Sequence, residues 1–137
     1  MRLGKVEELI DLITDELEVK LNYAQLHDVY GISKKESYIL YNDVKFKVSE
    51  FHTYDIMNGH DVNRMMIEVP ANVDYTWPYV QVGWETGYNH TSAIDNRRRA
   101  CYKLAETFVK EVLPKVDFKI KKEVYNNEID RILSVLD

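Results

Sequence analysis

The side chains with the widest chemical range stand close together in the middle of the chain: His52, Asp55, His60 and Asp61. Imidazole and carboxylate groups in such a mixture can bind zinc or a harder divalent ion, or move protons. The stretch that carries them, residues 52–63 (HTYDIMNGHDVN), is polar and contains the turn dipeptide Asn58-Gly59. A preformed metal site needs ligands at a spacing that one helix or hairpin can present, and that spacing is missing. The expected reading is a solvated loop with no metal site and no catalytic set.

Other reaction types fall away in turn. Gly83 and Gly87 in GWETG are followed by neither Lys-Ser nor Lys-Thr, and no G-x-G-x-x-G occurs, so no phosphate-cradling loop is expected. Ser92, after His90-Thr91, suits a helix cap better than a nucleophile. Cys101 is the single cysteine and falls on an apolar face, which predicts a core residue rather than a reactive thiol. One cysteine also rules out an intramolecular disulfide and agrees with a reducing, cytoplasmic setting. No cofactor is expected.

Two binding chemistries remain. Arg97, Arg98, Arg99 and Lys103 cluster near the start of a helical stretch. The whole chain carries −5, yet residues 94–122 hold nine basic and four acidic groups, or +5. The acids Glu7, Glu8, Asp11 and Asp15 can neutralise these arginines if the two helices lie side by side; otherwise they form an anion-binding face suited to nucleic acid. The second chemistry is aromatic: Trp77, Tyr79 and Tyr88, with Tyr75 and Trp84, are core residues or, where exposed, anchors for a protein partner.

These groups must be positioned by the elements around them. Val6, Leu9, Ile10, Ile13 and Leu17 recur at helical spacing and predict a first helix over residues 4–18 with an acidic back. Residues 22–33 read as a short helix ending at Gly31, or as part of a degenerate helix-turn-helix over residues 24–40. Against the latter, Ser37 and His27 occupy positions where an apolar and a small residue are wanted, and Tyr38, Ile39 and Tyr41 favour strand. Val44, Phe46 and Val48 alternate with Lys45, Lys47 and Ser49, so residues 37–51 predict a hairpin turning at Asn42-Asp43.

Residues 64–69 and 79–85 predict two further strands, the latter with Val80, Val82 and Trp84 inward. The longest helical period spans residues 92–113: Ile94, Cys101, Leu104, Ala105, Phe108 and Val112 share a face, Ser92 and Asp95 suit its start, and Pro114 ends it. Val116, Phe118 and Ile120 suggest a short strand or arm. Tyr125, Ile129, Ile132, Leu133 and Leu136 predict a last amphipathic helix, packed on the domain or on a neighbouring copy.

The length of 137 residues suits a single domain over residues 1–137. The expected fold is α+β: an antiparallel four-stranded sheet packed by the N-terminal helix and a long C-terminal helix, with a further terminal helix. The His60-Asp61 pair resembles that of metal-dependent HD phosphohydrolases, a helical family whose further ligands have no counterpart in register here. The order helix, strands, basic helix resembles that of double-stranded-RNA-binding domains, with Arg97, Arg98, Arg99 and Ala100 at the helix start. It is also similar in layout to small phage tail-completion proteins, which form rings. The expected function is that of a non-enzymatic binding or assembly protein, acting by self-association or by docking on a protein partner, with a phage-type structural or inhibitor protein as one form of it. The alternative is a nucleic-acid-binding protein using Arg97, Arg98, Arg99 and Lys103 or the degenerate helix-turn-helix.

Overall fold

The structure, a computed structural model, describes residues 5–29, 32–55, 60–86 and 89–136. It is an α+β fold with an antiparallel sheet and helices against one face, but the sheet has five strands rather than four.

Helix α1 spans Lys5–Asn22 and buries Val6, Ile10, Ile13, Thr14, Leu17 and Leu21 along one stripe. Thr14 escapes the cost of burying a hydroxyl because its Oγ1 donates to the Ile10 carbonyl at 2.7 Å. Glu7 and Glu8 lie in the first turn and Lys20 in the last, each at the end its charge favours. The helix runs four residues beyond the expected end at Glu18, because Leu21 continues the buried stripe.

The strands form a meander, β1 (Leu26–Val29), β2 (Ile32–Tyr41), β3 (Val44–Asp55), β4 (His60–Glu68) and β5 (Tyr79–Glu85), in spatial order β1-β2-β3-β4-β5. Strand β1 replaces both the short helix and the helix-turn-helix. Residues 32–40, where the recognition helix was expected, are strand: Leu26 pairs with Lys35 and Asp28 with Ser33 in an antiparallel ladder. Tyr38, Ile39 and Tyr41 do favour strand, and pairing to β3 extends that preference back to Ile32. Asn42 and Asp43 take φ of 48° and 63°, the positive values a tight hairpin demands. The expected loop over residues 52–63 is largely strand, since β3 runs to Asp55 and β4 starts at His60.

Register decides which residues meet the helices. Ile39 lies opposite Phe46, Val48 opposite Ile67, and Ile67 opposite Val80, giving a continuous apolar sheet face. The other face carries a solvated charge ladder in which Glu36 pairs with Lys34 and Lys47, and Lys47 reaches Glu68.

Helix α2 spans His90–Thr107. Its N-cap is Asn89, not Ser92: the Asn89 side chain accepts from the Ser92 backbone N–H at 2.9 Å, and Ser92 answers as the N3 partner of a capping box. Ile94, expected on the core face, is half exposed. Cys101, Leu104, Ala105 and Phe108 are buried, and Phe108 meets Phe46 edge-to-face at 4.8 Å and 86°. A π turn over Phe108–Val112 and a 3-10 turn over Leu113–Lys115 follow, so the helix does not run uninterrupted to Leu113. The π turn keeps Val109, Val112 and Leu113 inward after Phe108.

Helix α3 occupies Phe118–Leu136, where a strand or arm was expected over its first residues. Asp117 starts it, accepting from the Lys119 backbone N–H at 2.9 Å through Oδ1 and from the Tyr41 hydroxyl at 2.9 Å through Oδ2. Among the described residues no helix is long and apolar enough to cross a membrane.

Candidate functional site

Alternation along β3 places Phe46, Val48, Glu50 and His52 on the helix-facing side of the sheet. Glu50 is 1% exposed, and a carboxylate buried so deeply must be paired and hydrogen-bonded. Its partner comes from α2. Arg97 donates from Nε to Oε2 at 2.9 Å and from Nη2 to Oε1 at 2.8 Å, a bidentate fork.

A cross-strand row adds the remaining members. His52, Asn63 and Trp84 occupy matching positions on β3, β4 and β5. His52 Nε2 lies 3.1 Å from Glu50 Oε2, and His52 Nδ1 lies 2.7 Å from Asn63 Oδ1. Buried Asn63 turns its Nδ2 to Thr86 Oγ1 at 2.7 Å and, more distantly, to the Trp84 carbonyl at 3.5 Å. A carbonyl only accepts, so the Asn63 amide presents its oxygen to His52. Both ring nitrogens of His52 then face acceptors, an arrangement satisfied when both carry a proton.

The electrostatics follow the geometry. Burial alone would raise the Glu50 carboxyl, but hydrogen bonds from His52 and Arg97 outweigh it and bring it to about 2. The hydrogen bond to Glu50 raises His52 above its usual value, against some desolvation and the Lys35 charge. Arg97 is also raised: the Glu50 carboxylate overrides the desolvation. The Cys101 thiol, buried beside this cluster, is pushed up to about 12 by desolvation.

This constellation clamps α2 to the sheet. Neither His52 nitrogen is left to act on a substrate, and Arg97 spends its fork on Glu50. His52 is thus the one member of the expected metal set whose side chain is described. Asp55 and His60 face each other across the β3–β4 ladder and Asp61 faces Tyr54, but their side chains lie outside the described residues. Among the described residues no group of His, Cys, Asp and Glu could hold a metal ion.

The basic residues of α2 divide. Arg97 is bound to Glu50, and Arg98 Nε reaches Glu18 of α1 at 3.3 Å. The two helices do lie side by side, but the acid that serves is Glu18 rather than Glu7, Glu8, Asp11 or Asp15. Arg99 and Lys103 instead line a groove of about 330 Å³ between α2 and β5, with Val82, Trp84 and Ala100 as its apolar wall. Of the aromatic candidates, Trp77 is 65% exposed in the turn before β5 and Tyr79 is 40% exposed at its start. Tyr88 lies outside the described residues.

Sequence reasoning missed Glu50, Asn63 and Thr86. The signal for Glu50 was there: the alternation of Phe46 and Val48, carried two residues further, puts a carboxylate at a core position. Arg97 likewise stands four residues before buried Cys101 on α2. No signal marked Asn63 or Thr86, whose roles depend on strand register.

No protein-family model, curated protein or solved structure matches the chain.

Proposed function

We propose that this chain is a non-enzymatic assembly protein that acts by pairing with a second copy of itself through α3. The observation that carries this reading is the unpartnered face of that helix. Ile120 is buried against the domain, but Tyr125, Ile132 and Leu133 are more than half exposed and lie seven and eight residues apart, on one side. A groove of about 580 Å³ between α1 and α3 is lined by Leu9, Leu12 and Ile120 together with charged side chains such as Lys119, Lys122 and Glu123.

Charge selects a second copy as the occupant. Lys119, Lys121 and Lys122 crowd the first turns of α3, whereas Glu128 and Asp130 lie towards its end, where Arg131 pairs with Glu128. This order opposes the helix dipole, which favours acids at the start and bases at the end. Antiparallel pairing of two α3 helices sets the basic start of each beside the acidic end of the other. Such an interface is self-complementary about a two-fold axis. The helix, 19 residues and about 28 Å long at the usual rise, offers the seam for this pairing.

Sedimentation equilibrium tests the reading. The expected mass is twice the 16.2 kDa of the chain, falling to a single chain in Ile132→Glu/Leu133→Glu with an unchanged circular dichroism spectrum. A parent protein that stays monomeric at high micromolar concentration overturns it.

A further inference from the structure

A second surface, remote from the exposed face of α3, has its own chemistry. β5 is an edge strand: among the described residues it pairs with β4 alone. The opposite edge, β1, is only four residues long, which blunts it, but β5 has seven and contains neither lysine nor proline. Its main-chain polarity can be assigned residue by residue. The Pro78 carbonyl accepts from the Val69 N–H at 2.8 Å and the Trp84 carbonyl faces Asn63, so even-numbered residues turn their main-chain groups towards β4. Tyr79, Gln81 and Gly83 therefore turn both N–H and C=O outward. The next outward carbonyl, that of Glu85, is already taken by the Asn96 side chain of α2 at 3.0 Å. The fold thus closes one end of this edge and leaves the rest open.

Gly83 lies in the open part. A Cβ there would find only the Asn63 carbonyl oxygen, at an ordinary 3.5 Å, so packing within the chain does not require glycine. Glycine inside a strand often marks the close approach of another backbone. Above the edge, Arg99 and Lys103 lie one helical turn apart on α2 and are both exposed, without an ion pair among the described residues, over the groove walled by Val82, Trp84 and Ala100. Like charges at this spacing weaken a helix slightly unless an anion joins them.

From these features we infer that the outer edge of β5 takes an extended acidic peptide of a partner protein as an added strand, its carboxylates meeting Arg99 and Lys103. The open main-chain groups supply the ladder hydrogen bonds. Alternate side chains of the incoming strand point towards α2, where the apolar wall and the two cations receive them. Glu85 limits the site by repelling acid at the closed end. Main-chain pairing distinguishes a peptide from a nucleic acid, whose backbone cannot continue a sheet.

The test uses the full chain and three dye-labelled probes: a short peptide of alternating valine and glutamate, its valine–lysine counterpart, and oligothymidylate. Fluorescence anisotropy is read for the parent and for Arg99→Glu/Lys103→Glu, whose exposed positions leave the fold intact by circular dichroism. The parent is expected to bind the glutamate peptide, to bind it more weakly as salt rises, and to lose at least about tenfold in affinity on charge reversal. The reversed variant should prefer the lysine peptide. Amide exchange at Gln81 and Gly83 should slow in the complex. The inference is overturned by absence of binding at millimolar glutamate peptide, by binding that charge reversal leaves unchanged, by unprotected β5 amides in the complex, or by tighter binding of oligothymidylate than of the glutamate peptide.

Discussion

His52 Nε2 stands 3.1 Å from Oε2 of Glu50, two residues back on the same face of β3, so a group whose ordinary value lies near neutrality is tied to one that is fully buried. The imidazole bridges the carboxylate to Asn63 and so links the α2 clamp to β4 and β5. Its effect depends on its proton.

The pH dependence has two limbs. His52 has its folded-state value raised above the ordinary 6.5, so its contribution is complete below that value and is lost as pH rises through the raised one. Glu50 is depressed from 4.5 to about 2, so its contribution is present above 4.5 and is lost as pH falls towards 2. The cluster therefore stabilises most between about 4.5 and 6.5. Melting temperature scanned against pH should fall on both sides, and His52→Gln should flatten the alkaline limb and weaken the acid limb, since one of the two hydrogen bonds that depress Glu50 goes with the imidazole. An alkaline limb unchanged in that variant would contradict the assignment.

Removing one member of the buried pair strands the other. Glu50→Gln or Arg97→Met is expected to cost about 3–5 kcal/mol, because an uncompensated or poorly paired polar group remains inside. The double variant Glu50→Leu/Arg97→Met should recover most of that loss, since apolar replacement of a buried pair is often neutral or better. Urea unfolding of the three variants measures both quantities. Simple additivity of the single losses would show that the two residues act independently.

Arg98 provides the contrast. Its contact with Glu18 is exposed and 3.3 Å long, so Arg98→Ala should change stability by no more than about 1 kcal/mol. A loss as large as that of Arg97→Met, in the same urea series, would show that the neighbouring arginines are equivalent.

In the core, Phe108→Ala should cost about 3–5 kcal/mol, because it removes a fully buried ring and its edge-to-face contact with Phe46. Calorimetry should show the drop as a single lowered transition. A variant within about 1 kcal/mol of the parent would mean that the π turn repacks around the cavity.

Cys101 should be chemically silent in the folded chain. It is buried, its thiol is pushed up to about 12, and its sulfur lies 3.7 Å from the Met65 sulfur. Labelling by a disulfide reagent at neutral pH should proceed at the rate of unfolding and accelerate in Phe108→Ala. Rapid labelling of the native protein would place the thiol outside the core.

Much of the fold was legible in the sequence because local patterns suffice for it. The apolar stripe of α1, the alternation around Phe46, the Asn42-Asp43 turn, the inward set Val80, Val82 and Trp84, and the core position of Cys101 each follow from a period or a turn preference. These preferences act over a few residues and need no partner to be expressed. Strand β1 was not legible, since Leu26–Val29 has little apolar alternation and becomes a strand by pairing with β2. The same holds for β3 and β4 beyond His52, where polar residues that read as loop are held extended by each other's main chain. The clamp lay further still from view. Arg97 and Glu50 are forty-seven positions apart, and His52, Asn63 and Trp84 meet only because three strands share one register. Residue types and periods were enough to assign faces. Which buried charge found which partner, and which cations of α2 line the groove beside β5, was decided by tertiary packing, because pairing energies depend on distances that no local pattern contains.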